Sequence, residues 1–181
     1  MPKKRWTMRD SRYGEALSTH SRHSPETKTP PQWVQSREPR ILTKYFGGVG
    51  DFAADPIGEY VPLQGYAWFL KRDAKHAARA YIDDILAAYL ALVNAPTFAR
   101  LLKVFSDPVA GGQSNLSARF VRHIPLPDVV SVQRSQAFPR LVDLGQMREA
   151  FTPHWLAELD QLAAQIWGRE LVSALMEMDD A

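Results

Sequence analysis

The chain has 181 residues, of which 45% are hydrophobic and none is cysteine. That length and composition suit one ordinary domain with a real core and exclude disulfides and thiolate metal sites. The formal net charge is only +2, too small to define a binding partner by itself.

The charge is unevenly spread. Residues 1–40 hold nine Lys/Arg against four Asp/Glu, 41–140 hold eleven against eight, and 141–181 hold two against eight. A basic body of this kind suits the neutralisation of phosphates, with the acidic C-terminal part facing elsewhere.

Residues 1–38 are rich in Ser, Thr, Pro, Lys and Arg and show no helical or strand period. They are expected to form a basic, disordered arm ahead of a domain over 39–181. A basic N-terminus without an apolar segment behind it is no secretory signal, so a cytoplasmic protein is the expectation. His20 and His23 fall in this arm without the matching cluster that a metal site needs.

The pattern predicts a short strand over 41–46, a turn at Gly47 to Gly50, and a second β element over 60–70. Within the latter, Pro62 favours an edge and Gly65 a bulge. Its aromatic residues read as core more readily than as base-stacking surfaces. Asp73 is placed to cap a helix over 74–93 with Ala78, Ile82, Ile85, Leu86, Tyr89 and Val93 on its inward stripe. The greasiest run, 80–93, is interrupted by Asp83 and Asp84, and nothing approaches the roughly 18 uninterrupted apolar residues of a membrane span.

Asn94 and Pro96 break that helix, and 97–105 predicts another with Phe98, Leu101, Leu102 and Phe105 inward. The pair is not a helix-turn-helix reader, because the second helix is largely apolar and carries only Arg100 and Lys103 near its end.

Then comes the most distinctive run: Gly111-Gly112-Gln113-Ser114-Asn115-Leu116-Ser117-Ala118-Arg119-Phe120-Val121-Arg122-His123-Ile124-Pro125-Leu126-Pro127. Two glycines let the backbone reach positive φ and approach a ligand closely, and Gln113 and Asn115 carry amides able to read a donor-acceptor pair. From Ser117 the pattern predicts a short basic strand ended by Pro125 and Pro127. The stretch 131–144 reads as irregular. Thr152 as N-cap with Pro153 behind it starts a long final helix. Its apolar face runs through Leu156, Leu159, Ala163, Ile166, Trp167, Leu171, Leu175 and Met178. Left uncovered, such a stripe would favour self-association. The fold class expected is α+β, a small mixed sheet packed with helices.

The run from Gly111 to Pro127 resembles a segment near the C-terminus of adenine-specific DNA methyltransferases of bacterial restriction-modification systems, including enzymes fused to a nuclease. Gly47-Gly48-Val49-Gly50-Asp51-Phe52-Ala53-Ala54-Asp55 and Tyr60-Val61-Pro62-Leu63-Gln64-Gly65-Tyr66-Ala67-Trp68 resemble the segment upstream of it in the same family, and the likeness spans about 40–127. The resemblance implies a target-recognition region in a phage-defence system.

The family's methylating parts are absent from this sequence: its Asn/Asp-Pro-Pro-Tyr/Phe motif and the glycine-rich loop for the methyl donor. The one Pro-Pro pair, Pro30-Pro31, lies between Thr29 and Gln32. The resemblance therefore implies a split or truncated recognition part, inactive alone. It would bind double-stranded DNA, hold no cofactor itself, and need a methyltransferase catalytic domain or subunit that carries S-adenosylmethionine. Gly111, Gly112, Gln113, Asn115, Arg119, Arg122, Lys44, Lys71 and Arg72 are the candidate DNA-binding residues. Gln113 or Asn115 would pair with adenine, Arg119 or Arg122 would meet guanine or phosphate, and the lysines and Arg72 would meet the backbone.

Three other readings stand beside this one. One takes Gly111-Gly112 as a plain turn with Gln113 capping backbone groups. Gly-Gly-Gln also occurs in translation release factors, where it serves peptidyl-tRNA hydrolysis, although the flanks here differ. The third takes the chain as a non-catalytic, truncated remnant.

Overall fold

The computed structural model describes residues 7–8, 37–60, 62, 65–70, 82–147 and 151–179. The fold is α+β, with helices predominating over two small antiparallel sheets.

The larger sheet contains β1 (Thr7–Met8), β2 (Arg40–Lys44), β4 (Phe52–Asp55) and β5 (Gly65–Phe69), in the order β1-β5-β2-β4. Alternating Ile41 and Thr43, both β-branched, favour an extended β2. The strand predicted over 41–46 is thus present as Arg40–Lys44, followed by β3 (Phe46–Gly47) in the second sheet. Thr7 and Met8 of the expected disordered arm pair with Phe69 and Trp68; positions 9–36 lie outside the described residues.

The β element expected over 60–70 is shorter, and β5 lies between β1 and β2 instead of at an edge. Pro62 precedes it. Gly65 stands in register opposite Lys44, not in a bulge. A Cβ at position 65 would lie 2.0 Å from the Thr43 carbonyl oxygen, so close strand approach explains the glycine.

Across the β2–β4 pair, Arg40 faces Asp55. Both side chains are 0% exposed, and Arg40 Nε donates to Asp55 Oδ2 at 2.9 Å. The carboxylate also accepts the Glu59 amide (2.9 Å) and the Tyr60 amide (3.0 Å), closing the turn after β4. Burial alone would push the Asp55 carboxyl up. The two amides and the guanidinium outweigh it and hold the group below its ordinary value of 3.8.

Helix α1 (Ile82–Asn94) is the centre of the molecule. Every residue from Ile85 to Asn94 is buried, which exceeds the single inward stripe predicted. A helix apolar all round needs cover on all sides. Ile41, Phe52, Tyr66 and Trp68 of the larger sheet share one core with it and with α5 (Phe138–Gln146). A Cβ at Gly145 of α5 would lie 1.9 Å from the Ala87 carbonyl oxygen, so glycine sets how closely these helices pack. The predicted start of the helix near Asp73 lies outside the described residues.

At its end, Asn94 does more than break the helix. Its Nδ2 donates to the Phe52 carbonyl oxygen (3.0 Å) and its Oδ1 accepts the Phe52 amide (3.2 Å). The side-chain amide thereby takes the place of a further strand beside β4.

Helix α2 (Pro96–Phe105) follows at a 66° bend, with Phe98, Leu101 and Leu102 buried as expected. After it come β6 (Pro108–Val109) and β7 (Gln113–Asn115). The basic strand predicted from Ser117 is instead a short helix, α3 (Ala118–Val121). Asn115 Oδ1 accepts the Ser117 amide (3.0 Å), and the Ser117 carbonyl accepts the Phe120 and Val121 amides, so side-chain capping turns the chain. Val121 and Ile124, three apart, enter the core.

The irregular stretch expected over 131–144 holds α4 (Val129–Arg134) and α5. Asp128 caps α4 by accepting the Ser131 hydroxyl (2.7 Å) and amide (3.0 Å), which hold its carboxyl below the ordinary value.

The C-terminal helix begins after Thr152 as predicted, although the Thr152 side chain makes no capping bond. It is two helices, α6 (Pro153–Trp167) and α7 (Arg169–Asp179), divided at Gly168 with φ 95°. The apolar stripe is mostly covered. Leu159, Ala163 and Leu175 are buried, and Leu156, Ile166, Trp167 and Leu171 pack at the core margin. Met178 is the stripe's exposed member, so the open strip expected to drive self-association is absent among the described residues. Among those residues, no single helix is long and apolar enough to cross a membrane.

Candidate nucleic-acid interface

β6 and β7 form a hairpin in which Val109 faces Gln113 and Pro108 faces Ser114. Its tip is Ala110-Gly111-Gly112, with φ of 81° at Gly111 and 72° at Gly112. Both glycines use the left-handed region that the sequence reading assigned to them, and open space lies where their side chains would be.

On its other side β7 pairs with β3, Gly47 facing Ser114 and Phe46 facing Asn115. A Cβ at Gly47 would come 2.9 Å from Leu116 Cδ1, another close approach. This three-stranded sheet joins the two glycine motifs. Gly48, Val49, Gly112 and Ser114 line one cleft of about 200 Å³ with Pro96, Ala99, Arg100 and Lys103 of α2.

The walls of the cleft are held by specific bonds. Asp51 Oδ2 accepts the Gly48 amide (3.0 Å), and Asp51 Oδ1 accepts Lys44 Nζ (2.5 Å). The nominated Lys44 is 67% exposed but tied to this turn. Arg100 Nη1 donates to Asp160 Oδ2 of α6 (2.7 Å), while Asp160 Oδ1 accepts the Thr97 amide (2.7 Å) and hydroxyl (2.5 Å). One carboxylate thus caps the first turn of α2 from another helix and orients Arg100. Asp160 was not legible as a partner, since it lies 60 positions beyond Arg100 and carries no local pattern.

The other nominated residues fall into three groups. Gln113 is exposed on the hairpin arm. Asn115 is partly used for structure: its side-chain oxygen holds Ser117, and its carbonyl oxygen accepts the Ser106 hydroxyl (2.7 Å). Arg119 and Arg122, both exposed, lie three apart on and just beyond α3. Arg119 sits 5.4 Å from the Phe120 ring centroid, and Arg122 Nε donates to His123 Nε2 at 3.1 Å. Lys71 and Arg72 lie outside the described residues.

No protein-family model matches the chain, and no curated protein matches it in sequence.

Proposed function

We propose that this chain is the DNA-binding target-recognition portion of an adenine-specific DNA methyltransferase or restriction-methylation enzyme, with the methyl-transfer domain supplied in trans. One observation carries the reading. The two glycine motifs paired by the family resemblance meet at one cleft, beside Arg100 and Lys103. The exposed Gln113 amide suits a base edge better than Asn115, whose oxygen is engaged with Ser117. Arg119 and Arg122 suit phosphate or guanine contacts. The methyl donor, S-adenosylmethionine, belongs to the partner.

The test is duplex binding by the purified chain across salt concentrations, alone and with a methyltransferase catalytic subunit. Site-selective binding, with adenine methylation only in the mixture, is the expected result. Absence of duplex binding in both conditions would overturn the reading.

A further inference from the structure

The segment that carries Arg119 and Arg122 ends in a stretch that side chains hold in place. Pro125 and Pro127 have no N–H to donate, so this stretch cannot be fixed by a regular ladder of its own amides. Two aromatic donors from two helices take its carbonyl groups instead. The Tyr89 hydroxyl of α1 donates to the Pro127 carbonyl oxygen (2.6 Å), and Trp167 Nε1 at the end of α6 donates to the Pro125 carbonyl oxygen (2.8 Å). Tyr89 is 0% exposed, so core packing sets its ring. Trp167 packs at the core margin immediately before the break at Gly168. Leu126, between the two bonds, is buried.

This clamp reaches the two arginines through the backbone. The Leu126 amide donates to the Ile124 carbonyl (2.9 Å), the Ile124 amide to that of Val121 (3.1 Å), and the Val121 amide to that of Ser117 (3.1 Å). Val121 and Ile124 face the core while Arg119 and Arg122 face solvent. Each turn closes on the one before it, so a displacement at Pro125 carries Arg122, three residues upstream, with it. We propose that Tyr89 and Trp167 are positioning residues that clamp 125–127 and thereby set where Arg119 and Arg122 stand. Resting on the DNA-binding reading above, the clamp places both guanidinium groups before a duplex arrives, so less freedom is lost on binding.

The test compares the full chain with Tyr89→Phe and Trp167→Phe, each of which loses one donor and keeps an aromatic ring. Trp155→Phe serves as control, since Trp155 lies on α6 at the core margin but outside the clamp. Amide hydrogen exchange, denaturant unfolding and duplex binding across salt concentrations are measured on all four proteins. Both clamp variants should speed exchange at the His123, Ile124 and Leu126 amides by roughly threefold to tenfold relative to the other core amides, the weight of one hydrogen bond. Trp155→Phe should leave that ratio unchanged. Duplex affinity should fall by up to the same factor in the clamp variants while the salt slope stays, because the charges are still present. A uniform change across all amides would reduce the two side chains to general stabilisers and overturn the clamp. Local loosening with unchanged affinity for a bound duplex would overturn the positioning role and leave DNA recognition standing. Local loosening with no duplex bound by any of the four proteins would keep the clamp and end the DNA reading.

Discussion

Arg40 and Arg119 are both arginines in segments that the sequence marks as basic, yet they occupy opposite regimes. Arg40 is wholly inside, bonded to a carboxylate that two amides also hold. Arg119 stands in solvent against a phenylalanine ring. A buried ion pair is costly to break because removing one partner strands the other without water, whereas an exposed cation is replaced cheaply by solvent. Charge counts along the chain therefore overstate the surface available to a polyanion, since part of the positive charge serves the fold.

The largest effect that would sharpen this contrast is Arg40→Ala. It should cost about 3–5 kcal/mol in denaturant unfolding, the usual penalty for stranding a buried charge; a loss below about 1 kcal/mol would remove the distinction. Next is the acid response of the same pair. Because the folded Asp55 carboxyl lies below its ordinary value of 3.8, its contribution is fully present above about pH 5 and disappears as pH falls through the folded value. Asp55→Asn should flatten the decline of stability with acid, measured by unfolding at a series of pH values. Equal acid slopes in the two proteins would contradict the assignment.

An intermediate case lies between the two regimes. Arg140 bonds Glu158 through Nε (2.6 Å) and Nη2 (3.0 Å), with both side chains about one third exposed at 35% and 33%. Glu158→Gln should cost less than about 1 kcal/mol, and added salt should shrink even that. The smallest stability effect belongs to Arg119→Ala with Arg122→Ala, within about 0.5 kcal/mol per site. These changes should act on DNA instead, lowering the salt slope of binding by roughly two if each arginine neutralises one phosphate. A destabilised fold would return both residues to a structural role.

The parts legible in the sequence were those set by local rules. Ile41 and Thr43 in β2, the inward positions of α2, and Pro153 at the head of α6 all follow from period or capping chemistry. Over residues 117–124 apolar and charged positions come close to alternating, a strand-like pattern that the fold overrides. The Asn115 side chain instead turns the backbone, and Val121 and Ile124 bury at helical spacing. Helix α5 was missed because Pro139, near its start, reads as a breaker in sequence but fits a first turn. For the candidate site, the positive-φ glycines were legible, whereas the floor of the cleft was not. Arg100 and Lys103 join it only through the three-stranded sheet and the bend between α1 and α2. Asn94 and Asp160 act on partners 42 and 63 positions away, where no local period reports them.

The bond from Asn94 to Phe52 also limits what the larger sheet can become. An open strand edge is a template on which a second chain can add itself, the first step towards fibres and swapped dimers. At Phe52 both backbone groups facing away from β2 are already occupied by one buried amide. At this position the edge is filled by a side chain three atoms long, and a further strand could pair at Phe52 only if α1 let go.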